Sequence, residues 1–238
     1  MTGTSPATAR RRATAFQAGL FVVSGAFVAL ALLAHSIAYF PADLAIARAV
    51  QQWHAPGFDA LMSGMSWLGY FPQMIPVAGG AILAPLLVGA KYESAALLIA
   101  AASSPVGALI KVLVQRPRPE QTLVRVIREL HSSGFPSGHV LSTTSIVGFL
   151  AFLTWTRVER PVARNALLVL ELAFIALMGL SRIHEGAHWP SDVIGAWLLG
   201  SLWLALTVHL YRRMRPRALG GSAAAARPRR RHAAKGAA

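Results

Sequence analysis

Cysteine is missing from this chain, and acidic residues are scarce: 238 residues carry no Cys and only nine Asp and Glu against 23 Lys and Arg. The first absence excludes disulfides and thiolate-ligated metal sites. Charge of either sign is also thin, at 13% of the residues beside 55% hydrophobic ones. Mean hydropathy is +0.50. A soluble domain rarely combines so little charge with so many aliphatic side chains, whereas a helical membrane protein does. Each crossing takes about 20 apolar residues, so the length suits five or six. No internal repeat is evident.

Hydropathy predicts six spans, at 17–38, 71–90, 94–114, 139–156, 165–182 and 191–211. The fold class expected is therefore all-α, a polytopic helical bundle occupying 17–211 between a basic N-terminal segment, 1–16, and a basic tail, 212–238. The second span is interrupted by Pro72, Pro76 and Pro85, which membrane helices tolerate where neighbours satisfy the freed carbonyls. The stretch 42–66, with Trp53 and Pro56, reads as an interfacial loop or a short surface helix. Arg10, Arg11 and Arg12 precede an apolar run, 18–37, that is longer than a signal-peptide core and lacks a small-residue cleavage site, so it is expected to remain as a span.

Charge orients these spans. One side holds Arg10–Arg12, Lys91, Arg157, Arg160, Arg164 and nine basic residues from Arg212 onward, sixteen of the 23. The positive-inside rule assigns that side and both termini to the cytoplasm. The tail, with no acid among its nine charges, reads as a disordered segment beside anionic lipid headgroups. No folded basic domain accompanies it, so nucleic acid is not the expected partner. Segments 111–138 and 182–190 then face outward.

Those outer segments carry three clusters: Lys111, six residues, then Arg118-Pro119; Pro136-Ser137-Gly138-His139 at the start of a span; and Ser181-Arg182, five residues, His188, three residues, Asp192. Lys111, Arg118 and Arg182 are cations suited to the oxygens of a phosphate ester, and Arg can offer two donors at once. Ser137 and Gly138 stand where free amide groups at a helix start bind anions. His139 and His188 can serve as nucleophile and as acid or base near neutral pH. Asp192, one helical turn after His188, can reach one ring nitrogen and leave the other free to attack. The set suits phosphoryl transfer through a phosphohistidine, with no metal or other cofactor required.

The three patterns resemble the signature motifs of the type 2 phosphatidic acid phosphatase family, the lipid phosphate phosphatases, whose superfamily includes vanadium-dependent haloperoxidases. All eleven specified positions match, in order, between Lys111 and Asp192. The resemblance implies a six-span membrane hydrolase at the outer face. In it His188 attacks phosphorus and Asp192 orients His188. His139 protonates the leaving group and then activates water. Lys111, Arg118, Ser137, Gly138 and Arg182 hold the phosphate, and Pro119, Pro136 and Ser181 shape the loops. Undecaprenyl diphosphate, phosphatidylglycerophosphate and phosphatidate are the substrates the family offers, and the sequence does not choose among them.

Other readings compete. His184-Glu185-Gly186-Ala187-His188 fits the H-E-x-x-H zinc protease pattern, which needs one continuous helix to aim both imidazoles at a metal. Gly186 and Pro190 oppose such a helix, leaving His184 and Glu185 as loop residues near the mouth of the site. A non-catalytic phospholipid-binding bundle is the third reading, and the intact pair of His residues and the basic clamp oppose it. Arg116, Arg125 and Arg128 lack a motif role and are expected to be solvated loop charges. His131 draws interest for its place near the Pro136-Ser137-Gly138-His139 turn. Glu171 lies within the fifth span, where an acid is a functional suspect.

Overall fold

The computed structural model describes residues 6–70 and 72–215. Within them every regular element is a helix: α1 Pro6–Ser36, α2 Pro41–Gln51, α3 Pro56–Leu68, α4 Met74–Leu87, α5 Lys91–Ala101, α6 Ser103–Val114, α7 Gly138–Arg157, α8 Pro161–His184 and α9 Pro190–Met214. Five stretches are long and apolar enough to cross a membrane: Arg10–Ser36, Lys91–Val114 (α5 and α6 together), Gly138–Arg157, Pro161–His184 and Pro190–Met214. The expected second span survives only as α4, 14 residues long. At 1.5 Å per residue it reaches about 21 Å, short of a hydrocarbon core of about 30 Å. The α5–α6 boundary falls at Ala102, and Pro105 in the next turn has no amide hydrogen to give Ala101.

Of the two readings of 42–66, loop or short helix, the helical one holds and there are two helices, α2 and α3, each started by a proline at its first position, Pro41 and Pro56. Both pack on α8. Gln51, buried at the end of α2, donates to the carbonyls of Arg125 (2.8 Å) and His184 (3.2 Å) and accepts from the Arg125 amide (2.9 Å). It thus satisfies carbonyls that a helix end leaves open and pins the 120–130 loop to the end of α8.

Helix α7 is the centre of the bundle and packs against α5, α6, α8 and α9. Leu141, Val140, Val193, Ala196 and Met178 are buried where it meets α8 and α9. At the far end Arg157 pairs with Glu93, and Tyr211 joins both, donating to Glu93 at 2.6 Å and accepting from Arg157 at 2.7 Å. Arg212 and Arg213 belong to the last turn of α9 rather than to a tail. The remainder of the expected basic tail, from 216 onward, and residues 1–5 lie outside the described residues.

Candidate active site

All three sequence clusters meet at one end of the bundle. His188 sits in the turn between α8 and α9, 2% exposed. That turn needs Gly186: its φ is +67°, and a Cβ there would collide with the carbonyl oxygen of Arg125. The Ala187 and His188 amides donate back to the Arg182 carbonyl at 3.0 and 3.2 Å.

His188 Nε2 lies 3.1 Å from Arg118 Nη1, and Nδ1 lies 3.5 Å from Asp192 Oδ2. A guanidinium only donates, so Nε2 faces it as acceptor and the ring proton falls to Nδ1, on the Asp192 side, where it makes no hydrogen bond of proper geometry among the described residues. Burial pushes the His188 pKa well below its ordinary 6.5, and the charges of Arg118, Lys111 and Arg182 push the same way. The imidazole is therefore neutral, with a lone pair exposed to cations. Arg118 is lowered to about 10, first by burial and then by Arg182, and stays charged at neutral pH.

The cations are held differently. Lys111 Nζ donates to the Ser133 carbonyl at 2.7 Å. Arg118 is threaded through the same loop, donating to the carbonyls of Ser132 (2.7 Å) and Ala187 (2.6 Å). Arg182 is fully buried, and its Nη1 donates to Ser66 Oγ (2.8 Å), Tyr70 OH (3.0 Å) and Glu185 Oε2 (3.1 Å). Its Nε and Nη2 are buried without a partner among the described residues, as are Ser137 Oγ and His139 Nε2. Ser137 precedes the first turn of α7, and a Cβ on Gly138 would meet nothing within 4 Å, so open space adjoins that helix start. The His139 ring stands edge-on to Tyr70, centroids 4.9 Å apart, and touches Gly69 so closely that any side chain there would overlap it.

Arg116 corrects the sequence reading. It is not a solvated loop charge but 1% exposed, because two buried carboxylates claim it. Nη1 donates to Asp192 Oδ1 (2.7 Å) and Ser191 Oγ (2.6 Å), and Nη2 donates to Asp43 Oδ2 (2.9 Å). Asp43 and Asp192 hold matching places: each is the third residue of a helix opened by proline, and each accepts from the amide before that proline, Phe40 at 3.1 Å and Trp189 at 2.9 Å. Asp192 is thus clamped on both oxygens. The repeated Pro-x-Asp, at 41–43 and 190–192, was the signal available for Asp43.

Ser66 and Tyr70 are further residues that no motif marks, both reached through Arg182. Arg125 and Arg128 are exposed, as expected, yet engaged: Arg128 lies over the Tyr70 ring at 4.8 Å. Glu185 and His184 are buried rather than loop residues at a mouth. Helix α8 ends at His184, so the H-E-x-x-H segment is not one helix. Its two imidazoles face different partners, Asp59 for His184 and Arg118 for His188. His131 is exposed and lines a cavity of about 400 Å³ beside Arg118. Glu171 accepts from Thr154 at 2.9 Å, well away from the site.

A family model described as the PAP2 superfamily matches residues 93–216. The chain belongs to the PAP2 superfamily. It is 25% identical over 185 residues to phosphatidylglycerophosphatase B of Bacillus subtilis, covering 74% of this chain and 86% of that protein. An undecaprenyl-diphosphatase of Sulfolobus acidocaldarius is 36% identical over 78 residues, 32% of each chain. The fold resembles the crystal structure of the transmembrane PAP2-type phosphatidylglycerolphosphate phosphatase of Bacillus subtilis, with TM-score 0.71 and 22% identity over 83% of this chain and 98% of that one. The fold expected from sequence, a multi-pass helical membrane phosphatase bundle, stands.

Proposed function

We propose that this PAP2 protein is an integral-membrane phosphatase acting on a lipid phosphate or diphosphate through a phosphohistidine, without a metal in the reaction. His188 Nε2 attacks phosphorus in line with the departing oxygen, and the N–P bond forms as the P–O bond breaks. His139 Nε2 gives its proton to the leaving alkoxide or phosphate. It then takes a proton from water, which attacks phosphorus and frees His188. Asp192 steadies the Nδ1–H of His188 as the ring gains charge. Lys111, Arg118, Arg182, Ser137 and the first amides of α7 hold the non-bridging oxygens.

The observation that carries this reading is the set of buried, unpartnered polar atoms, Arg182 Nε and Nη2, Ser137 Oγ and His139 Nε2. Unmatched buried donors of this kind are costly, and a phosphoryl group between them and His188 would satisfy them. A lipid rather than a soluble ester is favoured by an apolar cavity of about 290 Å³, which begins at Leu68 and Gly69 beside His139 and runs along α7 and α8 to Leu150 and Phe174. The charge distribution supports cytoplasmic termini and an active site on the other face.

The test is phosphate release from a panel of lipid phosphates and diphosphates by the purified protein in the presence of a chelator. Turnover that resists chelation, is blocked by vanadate and vanishes in His188→Ala is expected. Full activity in His188→Ala would remove the proposed nucleophile.

A further inference from the structure

Away from the phosphate cluster, a second group of side chains converges. His54 comes from the α2–α3 connection, Asp59 from the first turn of α3, and His184 from the last turn of α8. One ligand-type atom from each lies within 4.8 Å of the others. Asp59 Oδ1 stands 3.1 Å from His184 Nε2 and 3.8 Å from His54 Nδ1. Two ligands of a tetrahedral zinc ion, each about 2.0 Å from the metal, are about 3.3 Å apart, so these distances bracket the edge of such a site. Asp59 Oδ1 forms no hydrogen bond of proper geometry to either ring.

The cation these acceptors require comes at present from Arg125. Its Nη2 lies 3.3 Å from His184 Nε2 and its Nη1 lies 3.5 Å from His54 Nδ1. A guanidinium has no acceptor, so both ring nitrogens face it with lone pairs. The Arg125 side chain is exposed, while its backbone is fixed on both sides by Gln51. The guanidinium can swing out without moving the loop. His184 is 1% exposed and packed edge-on by Phe58 at 5.2 Å, so one ligand is rigid. His54 is exposed and needs only a side-chain rotation to close the third edge.

We propose that His54 Nδ1, Asp59 Oδ1 and His184 Nε2 form a divalent-metal site of the zinc type, with Arg125 as a tethered competitor that leaves when the ion binds. Two imidazoles, one carboxylate and an open fourth position are the donor set zinc favours. The ion takes no part in phosphate release. It joins the α2–α3 connection, α3 and the end of α8, one residue from Glu185, which bonds Arg182 and Tyr70. The proposal does not depend on the phosphatase reading.

The experiment uses the full chain, purified without a histidine tag, stripped with chelator and loaded with Zn²⁺ or Co²⁺. About one metal per chain is expected, with intense visible Co²⁺ absorption of a four-coordinate site. Asp59→Asn and His54→Ala should each weaken binding at least about tenfold, the lower bound seen even for outer-sphere partners. Arg125→Ala should tighten it. His54 and Asp59 lie outside the phosphate cluster, so phosphate release by the same preparations reports on folding. Failure of Arg125→Ala to bind Zn²⁺, metal that persists in the His54→Ala/Asp59→Asn double variant, or wild-type Co²⁺ spectra of a six-coordinate ion would each overturn the site.

Discussion

Arg116→Met is the sharpest test of how Asp192 is held. The substitution keeps most of the apolar stem and removes the guanidinium, which is fully buried against two carboxylates at 2.7 and 2.9 Å. Both side-chain carboxylates are almost completely shielded from solvent. Taking one partner from a buried ion pair costs about 3–5 kcal/mol, because the charge left behind has neither water nor a counterion. Asp43→Asn leaves the Arg116–Asp192 pair intact but should cost at least about 1.5–3 kcal/mol, the loss of one charged hydrogen bond, because the new amide must also face the donors of Phe40 and Ser191 that now reach Asp43. Because both changes act on one bridge, the double variant should lose less than the sum, by about 1–3 kcal/mol. Equilibrium unfolding in mixed micelles measures these values. In phosphate release, Arg116→Met should lower kcat more than it raises KM, since Asp192 loses the anchor on Oδ1 while the phosphate-facing cations remain. An Arg116→Met protein within about 1 kcal/mol of wild type, the size of an ordinary substitution, and with unchanged kcat would refute the bridge as the device that positions Asp192.

Gly69→Ala should push the His139 ring off its place, with an overpacking cost of about 1–3 kcal/mol and a kcat loss of about 10²-fold from misplacement; near-normal kcat would show that His139 is free to move. Arg182→Lys keeps the charge but loses Nε and Nη2, the donors left over while Nη1 alone reaches Ser66, Tyr70 and Glu185, so kcat/KM should fall at least about tenfold, and wild-type values would remove the need for a fork-shaped donor. The pH dependence follows from the lowered His188 pKa, set first by burial. An imidazole with a depressed pKa stays neutral as pH falls, so the acid limb of kcat/KM due to His188 should lie below 6.5. Unfolded chains bind that proton near 6.5 and the folded protein does not, so stability should drop as pH falls from 6.5 toward the folded value. An acid limb at or above 6.5 would contradict the burial of this ring.

Much of this was legible because apolar helices write themselves in hydropathy and the candidate site residues fall into motifs of fixed spacing. The five long apolar helices follow the predicted spans to within a few residues at most ends. The convergence of Lys111, Arg118, Ser137, His139, Arg182, His188 and Asp192 is what their placement around four span ends, joined by two loops, leads one to expect. Tertiary pairing was not legible. Arg116 sits between Gln115 and Pro117 with only a neighbouring motif for context, and its exposure is decided by Asp43, 73 residues away. Ser66 and Tyr70 matter only because α3 packs on α8, a contact that has no local signature. Tryptophans and prolines in 42–66 suit an interfacial loop as well as a short helix, and only the prolines at the first positions of α2 and α3 tip the choice toward helices.

The family match begins at residue 93, whereas Asp43 lies on α2. A fragment trimmed to the matched region would retain every motif residue yet carry a buried guanidinium with half its counter-charge gone, and its α8 terminus would lack Gln51. Splitting the protein ahead of α5 should therefore yield two halves that function only when supplied together, because the first brings the carboxylate and the amide that the second buries against.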